Sequence, residues 1–469
     1  MALKPRLQWW KGHVSLLPLF LVAVPLPSQT FTTLVNFDGA NGDGPGQVLV
    51  EGTDGSLYGT TSQGGANSCP APYDGCGTIF RITLAGTLTT LHSFSSGDGV
   101  LPSALVQAND GTFYGTTVYG GEFTNYGTIF KLSPNGRFTT LHTFDLADGS
   151  YPTGALVQAP NGSFYGTAQE GGANGFGTVF RITPSGTLTT LHNFDGTDGA
   201  DPVAGLVQAA NGDFYGTTWE GGASNSGVIF KITSRGTLTT MDSFDGIDGE
   251  APYGWLIQAT NGNFYGTTVT GGAYSYGTVF KMTPQGKLTT LYSFHQYSPE
   301  GGAPQMGLIQ ATDGNLYGTA SDGGTSSNCY AGCGTVFRIT PSGNLTTLHS
   351  FDSTDGAYPG GLVQATDGNL YGVAGGGAGG YGTIFRLSVG LGPFVKTVPA
   401  TAEIGATVNI LGTNLTDTSG VTFNGTGAAF TVISEYLIKA TVPSGATTGT
   451  VKVTTPDGTL SSNVAFRVR

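Results

Sequence analysis

Residues 206–244 read LVQAANGDFYGTTWEGGASNSGVIFKITSRGTLTTMDSF, and this stretch decides the fold. It contains four short runs rich in Val, Ile, Thr, Phe and Tyr: LVQA (206–209), FYGTT (214–218), GVIFKI (227–232) and LTTMDSF (238–244). Such runs favour β-strands, and the Asn-Gly between the first two is typical of a tight hairpin. No window shows the apolar period of a helix. Four antiparallel strands in about 50 residues are the signature of a β-propeller blade.

The same unit occurs seven times. The tyrosine of its F/L-Y-G phrase recurs at intervals of 50 to 56 residues, at Tyr58, Tyr114, Tyr165, Tyr215, Tyr265, Tyr317 and Tyr371. A lone copy of the fourth-strand phrase stands before the first unit (FTTL, 31–34), and the last unit ends at Ser388 after its third strand. The N-terminal strand can therefore complete the last sheet. The sequence predicts an all-β fold with a seven-bladed β-propeller over residues 29–390, closed by that strand.

Residues 391–469 follow a different pattern. After Leu391-Gly392-Pro393 the repeat stops, and short alternating runs such as VNILG, GVTFNG, LIKATVP and GTVKVTTPDG are separated by Gly, Pro and Asn turns. Alternation of this kind, with turns every ten residues or so, predicts an immunoglobulin-like β-sandwich.

These motifs carry two resemblances. The repeat, with its LVQA, DGxxYGTT and GTxFK phrases, resembles that of the bacterial choice-of-anchor tandem repeat GloVer-containing proteins over residues 31–388. This resemblance implies a secreted or surface-attached protein and no established activity. GATVNILGTNL (405–415), VTFNG (421–425) and VPSGATTG (442–449) resemble an IPT/TIG immunoglobulin-like domain. That resemblance implies a spacer or interaction module without catalytic residues.

The first 28 residues have the pattern of a targeting segment. A basic start precedes the apolar run VSLLPLFLVAV (14–24), which is too short to span a bilayer and is typical of a secretory signal peptide. We predict export with cleavage near Ser28; the alternative is a buried N-terminal strand. Because no later stretch approaches 18 apolar residues, we expect no membrane span in the mature chain.

The four cysteines agree with export. Cys69 and Cys76 lie in one loop, and Cys329 and Cys333 lie in another. Two local disulfides suit an oxidising compartment. Zinc would require four thiolates or nearby histidines, which these spacings do not supply.

The composition excludes some classes of molecule as binding partners. The chain has a net charge of −12 with 18 basic residues, which argues against nucleic acid and anionic membranes. It has 79 glycines among 469 residues and only 10% charged residues, which excludes a coiled coil or a helical bundle. We expect a monomer whose partner is a carbohydrate or a cell-surface protein.

One side of the predicted propeller is the candidate binding side. If the strands of each blade run outwards in chain order, the loops between strands two and three share a side with the connections between blades, and the other side carries only tight turns. Variable loops on a rigid scaffold are the usual place for binding. Aromatic rings beside carboxylates suit sugar recognition; the alternative is that the rings anchor the loops. The predicted ligand-binding residues are Tyr119, Tyr126, Glu170, Phe176, Trp219, Glu220 and Tyr276, with Glu122, Asp322 and Tyr381 at related positions.

No cofactor is predicted. The D-x-x-D-G phrase, for example Asp145 and Asp148, offers paired carboxylates to calcium, but Asx-turns explain the same residues. The recurring strand-four histidines are interpreted as surface residues of outer strands, too far apart to share an ion; they are His92, His142, His192 and His349. The inner-strand glutamines either bond between blades or line a channel.

No nucleophile or metalloprotease motif appears, so catalytic residues stay unknown. We therefore expect a secreted binding protein. The first alternative is a carbohydrate-active enzyme, a glycoside hydrolase or lyase, with its site on the same side. The second is a structural surface component.

Overall fold

The computed structural model describes residues 29–121, 125–296 and 298–469. The predicted signal peptide (1–28) lies outside these residues. The described chain is all-β and contains no helix.

Residues 30–388 form seven successive antiparallel sheets, numbered here 1 to 7, which together are called the repeat region. In sheets 1 to 6 the strands run in chain order across the sheet from the first strand outwards, as in a propeller-like repeat fold, and in sheet 7 the N-terminal strand takes the fourth place. Their bounds are as follows, with the first strand of sheet 1 interrupted: sheet 1, Asp43–Pro45 with Val50–Glu51, Leu57–Gln63, Thr78–Ile82 and Leu88–Ser93; sheet 2, Val100–Gln107, Phe113–Tyr119, Thr128–Leu132 and Phe138–Thr143; sheet 3, Val157–Gln158, Phe164–Ala168, Thr178–Ile182 and Leu188–Asn193; sheet 4, Val207–Gln208, Phe214–Thr218, Val228–Ile232 and Leu238–Ser243; sheet 5, Ile257–Gln258, Phe264–Thr268, Thr278–Met282 and Leu288–Ser293; sheet 6, Ile309–Gln310, Leu316–Ala320, Thr335–Ile339 and Leu345–Ser350; sheet 7, Ala357–Gln364, Leu370–Gly375, Thr383–Ser388 and Thr30–Asn36.

The predicted pairing of the N-terminal strand with the last sheet is present. Thr30–Asn36 runs antiparallel to Thr383–Ser388, with Thr30 opposite Ser388 and Asn36 opposite Thr383. Sheets 1 and 7 also touch at the inner strands, where the Gly361 amide donates to the Gln47 carbonyl at 2.6 Å. The first and last sheets are therefore neighbours.

The core lies between neighbouring sheets, and the Tyr-Gly phrase explains how they pack. In sheet 4, a Cβ on Gly216 would stand 2.6 Å from the ring of the buried Phe230, so this position accepts only glycine. The preceding Tyr215 packs on Phe264 of sheet 5 with ring centroids 4.2 Å apart. Repetition of these contacts explains why the Y-G and G-T-x-F phrases recur together.

A ladder of inner-strand glutamines ties neighbouring sheets together at every junction of sheets 1 to 7 except that of sheets 3 and 4. Gln158 Oε1 accepts the Asn109 amide of sheet 2 at 3.2 Å, and Gln258 Oε1 accepts the Ala210 amide of sheet 4 at 2.8 Å. These bonds confirm the interpretation that the glutamines bond between repeats. At the junction of sheets 7 and 1 the ladder residue is Glu51, which accepts the Thr366 amide at 2.8 Å.

Residues 396–468 form two four-stranded sheets around one buried core, here called the C-terminal sheet pair. One sheet contains Lys396–Val398, Thr407–Leu411, Leu437–Thr441 and Phe430–Ser434; the other contains Thr426–Gly427, Gly420–Phe423, Val451–Thr455 and Gly458–Ser461; Thr401–Ala402 and Arg467–Val468 pair in parallel beside them. Val408, Ile438, Val453 and Phe423 belong to its core.

The C-terminal sheet pair packs against the side of the repeat region that holds the hairpins between first and second strands, here called the hairpin side. Lys396 Nζ lies 2.8 Å from Glu51 Oε2, and Asn409 Nδ2 donates to the Asn109 carbonyl at 3.1 Å. The repeat region carries tight turns on this side, as predicted, for example at residues 209–212 and 233–236. The docking of the C-terminal sheet pair was not predicted, because its contacts join segments about 300 residues apart and leave no local pattern in the sequence.

Candidate functional site

The predicted site residues lie on the opposite side, where the loops between second and third strands meet the connections between sheets; it is called the loop side. Backbone bonds hold these loops in place. Ala200 and Glu220 exchange two amide hydrogen bonds of 2.9 and 3.1 Å, and the Trp219 amide donates to the Asp201 carbonyl at 2.9 Å. The loop side is thus ordered by the backbone before any ligand binds.

Three carboxylates of sheets 3 and 4 interact on this side. Burial raises the pKa of Asp201 to about 6, and the negative charges of Glu220 and Glu170 contribute to this rise. The predicted pair Glu170 and Glu220 is therefore brought together around a third acid. Sequence reasoning missed Asp201, which follows the D-x-x-D-G phrase of its connection.

Aromatic rings flank these acids on both sides. Tyr119 and Tyr126 lie around Tyr151, with ring centroids 5.2 and 6.3 Å from it. On the other flank, Trp219 meets the ring of Tyr253 edge-on at 5.3 Å. Tyr151 and Tyr253 were not predicted, although both lie in connections whose residues vary from repeat to repeat.

Together these residues form the aromatic–acidic arc, which consists of Tyr119, Tyr126, Tyr151, Glu170, Asp201, Glu220, Trp219 and Tyr253. Glu170 and Tyr151 are close enough that the carboxylate helps raise the pKa of the tyrosine, after burial. The set therefore spans the loops and connections from sheet 2 to sheet 5.

Two predicted residues have rings that pack outside the arc, although the Phe176 carbonyl accepts the Asp201 amide at 3.1 Å. Phe176 is 43% exposed, and its ring covers Gly196 of the following connection. Tyr276 packs against the buried cluster between sheets 5 and 6. Both positions fit the alternative interpretation, in which the ring anchors a loop. Tyr381 likewise covers Gly39, and Glu122 lies outside the described residues.

Trp255 lies across the inner strands. Its indole contacts Gly307 of sheet 6 and Gly361 of sheet 7, where any Cβ would clash with the ring. A cavity of about 300 Å³ opens on the loop side and is lined by residues that include Ser103, Thr153 and Tyr253. Tyr253 thus connects the arc to this cavity.

Both predicted disulfides are present, Cys69–Cys76 and Cys329–Cys333. The first closes the loop that holds Tyr73, whose ring centroid lies 6.1 Å from that of Tyr119. The disulfide therefore extends the aromatic flank towards sheet 1.

The strand-four histidines are more buried than expected of surface residues. His142 Nε2 lies 2.7 Å from Asp148 Oδ2, and the side-chain exposure of this histidine is 20%. The same pairing recurs at His92, His192 and His349, with Asp98, Asp198 and Asp355. The Asp145 carboxylate accepts the amides of Ala147 and Asp148 in an Asx-turn. No group of three metal-binding side chains is found in the described parts of the chain.

A family model described as the Gloeobacter/Verrucomicrobia repeat matches residues 20–156, 70–261 and 242–433. The chain belongs to this repeat family. The assignment agrees with the tandem sheets of the repeat region and confirms the resemblance inferred from the repeat motifs.

Comparison with curated proteins finds no match. Among solved structures, the chain is similar to PorZ of Porphyromonas gingivalis, described as a surface component of the type-IX secretion system. The TM-score is 0.48 and the identity 14%, covering 93% of this chain and 60% of that one. It is also similar to a gluconolactonase from Xanthomonas campestris with a TM-score of 0.41 and 12% identity, covering 77% of this chain and 90% of that one.

The described residues include no helix that is long and apolar enough to cross a bilayer. The two disulfides are typical of chains that fold in an oxidising, extracellular environment.

Proposed function

We propose that this member of the repeat family is an extracellular binding protein that takes a carbohydrate chain along its aromatic–acidic arc. Residues 1–28 would be the signal peptide and 29–390 a closed seven-bladed β-propeller. Residues 391–469 would be an immunoglobulin-like domain of the IPT/TIG type. Contacts between sheets 1 and 7 support closure, because Pro45 packs on Gly382 as Pro252 packs on Gly227 between sheets 4 and 5.

The order of aromatic rings and carboxylates along the arc is the main support for this proposal. Two aromatic flanks, Tyr119 with Tyr151 and Trp219 with Tyr253, enclose the carboxylates around Asp201. Rings stack on the apolar faces of sugars, and carboxylates accept hydrogen bonds from sugar hydroxyls. An extended arc suits several consecutive sugar units better than a single small molecule. The backbone bonds of Ala200 with Glu220 mean that little ordering is needed on binding.

A glycan array followed by titration calorimetry tests this function. For a glycan that binds, Trp219→Ala and Tyr151→Ala should each weaken the affinity about tenfold, equal to ~1.4 kcal/mol. Tyr330→Ala is the matched control, because Tyr330 is 97% exposed on a loop outside the arc. An array without binding, or affinities unchanged by both arc variants, would contradict the proposal. Specific capture of a surface protein by the same side would favour the alternative partner.

The pKa of Asp201 supports a second candidate function. A carboxyl group that titrates near pH 6 beside two other carboxylates has the property of a general acid in a glycoside hydrolase. Release of reducing sugar by the native protein, lost in Asp201→Asn, would identify an enzyme. Binding without release, retained in Asp201→Asn, would identify a binding protein.

A further inference from the structure

A large cavity lies on the hairpin side, beneath the C-terminal sheet pair. It measures about 920 Å³ and has the inner-strand ends of sheets 2 to 5 as its floor. Cavities of about 450 and 480 Å³ adjoin it, sharing Arg467 on one side and Asn109 on the other. This group of three cavities is called the interdomain cleft. The cavity of about 920 Å³ alone reaches the upper part of the size range of small-molecule sites.

The floor of the interdomain cleft is uncharged and combines amide with aliphatic side chains. Gln107, Gln158, Gln208 and Gln258 line it with Asn211. The hairpins of sheets 3 to 5 carry Asn161, Asn211 and Asn261 where the other four sheets carry Asp54, Asp110, Asp313 and Asp367. Asp213 lies beside Asn211 but does not line the cleft. Of these three asparagines Asn211 lines the cleft, so an amide stands there where four of the seven repeats have a carboxylate.

One glutamine of the floor has a free acceptor. The other ladder residues accept an amide from the preceding sheet, but Gln208 faces Pro160, which has no N–H to donate. Among the described residues, Gln208 bonds only through Nε2, which donates to the Gly212 carbonyl at 3.2 Å. Its Oε1 therefore remains available to a ligand hydroxyl.

The roof supplies positive charge. Arg467 lines two of the three cavities, and burial lowers its pKa. No ion pair or side-chain hydrogen bond of its guanidinium is found in the described part of the chain. Lys439 and Arg469 add cations, and Glu403, at the edge, is the one carboxylate side chain among the lining residues. A half-buried cation without a partner costs stability unless an anion pairs with it.

We propose that the interdomain cleft binds a short uronic-acid oligosaccharide, with a sugar carboxylate on Arg467 and sugar hydroxyls on the glutamines of the floor. The planar guanidinium matches a carboxylate in a two-point hydrogen bond. Carboxamides both donate and accept, as vicinal hydroxyls require. This site is independent of the aromatic–acidic arc, which lies on the opposite side.

Titration calorimetry of the full chain with digalacturonate tests the proposal. We expect saturable binding of one molecule per chain, weakened tenfold or more in Arg467→Met, since a hydrogen bond to a charged group is lost. Arg137→Met, which removes an exposed arginine of sheet 2, should bind as the native protein does. The methyl ester of digalacturonate should bind at least tenfold more weakly, because it lacks the charge.

Thermal unfolding distinguishes a binding role from a structural one. Without ligand, Arg467→Met should melt no lower than the native protein, because the guanidinium it removes has no partner. Tyr330→Ala, which removes a 97% exposed ring outside both the interdomain cleft and the arc, should bind digalacturonate as the native protein does. No binding to the native protein, equal binding of the ester, or equal binding by Arg467→Met would each overturn the proposal.

Discussion

The ion pair between Glu51 and Lys396 should couple the repeat region to the C-terminal sheet pair. Glu51 is 3% exposed and accepts the amide and hydroxyl of Thr366 at 2.8 and 2.6 Å, besides the Lys396 ammonium at 2.8 Å. Six other repeats have glutamine at this position. Glu51→Gln therefore replaces the charge with the residue that the rest of the ladder uses.

The expected cost follows from burial. Removing one partner of a fully buried pair costs ~3–5 kcal/mol, and a partly exposed pair costs less. Because the side chain of Lys396 is 25% exposed, we expect Glu51→Gln and Lys396→Met each to lower the free energy of unfolding by ~2 kcal/mol.

The double variant should lose only about as much stability as either single variant, because the second change removes the partner that the first left unpaired. The glutamine that Glu51→Gln introduces could accept the Thr366 amide and donate to the Gly55 carbonyl, as Gln107 donates to that of Gly111. Urea unfolding followed by circular dichroism gives the free energies, and a coupling of ~2 kcal/mol is expected between the two sites. Lys452→Met, on the exposed face of the sheet pair, is the control. If the two single losses of unfolding free energy simply add in the double variant, or if Glu51→Gln loses no stability, the ion pair does not couple the two regions.

Three further predictions concern single positions. Gly216→Ala should cost ~1–3 kcal/mol in urea unfolding, because its Cβ would lie 2.6 Å from Phe230, whereas Gly97→Ala, with nothing within 4 Å, should be neutral. The raised pKa of Asp201, about 6, means that the stability this group contributes at low pH is lost as pH rises through 6. Asp201→Asn should therefore lose less stability than the native protein between pH 4 and 7, by about 1 kcal/mol after solvent screening, in melts at each pH. Replacing Cys69 and Cys76 by serine should lower the free energy of unfolding by ~2 kcal/mol, and an unchanged melting temperature would contradict this.

Much of the fold was predictable because its signals are local and repeated. The strand runs at 214–218 and 228–232, the hairpin at Asn211-Gly212 and the pairing of 30–36 with the last sheet all follow from the period. The two disulfides close loops of a few residues, so their partners were evident.

The candidate site was only half predictable. Trp219, Glu220 and Glu170 stand out beside glycine pairs, but Tyr151, Asp201 and Tyr253 reach the same surface from the connections between sheets. Which of several variable positions meet depends on how neighbouring sheets twist, and a single sequence does not encode that in any local pattern. Phe176 and Tyr276 are aromatic residues in the same loops as the site residues, but their rings pack against loops and the core instead.

One residue of the repeat pattern changes where the C-terminal sheet pair docks. Glu51 departs from the glutamine of the other repeats, yet its partner Lys396 lies 345 residues away. The sequence alone therefore does not show that this carboxylate, among six glutamines, forms an ion pair with another part of the chain.

We propose that the seven sheets close into a ring through residues 30–36. Thr30 and Ser388 are directly opposed, so the variant Thr30→Cys with Ser388→Cys should form an intramolecular disulfide, detected by mass spectrometry of the proteolysed protein. The matched control, Thr30→Cys with Thr283→Cys, places the second thiol at the corresponding end of a third strand in sheet 5 and should keep both engineered thiols free. A linked peptide is expected in the first variant alone; free thiols there, or equal linkage in the control, would contradict ring closure.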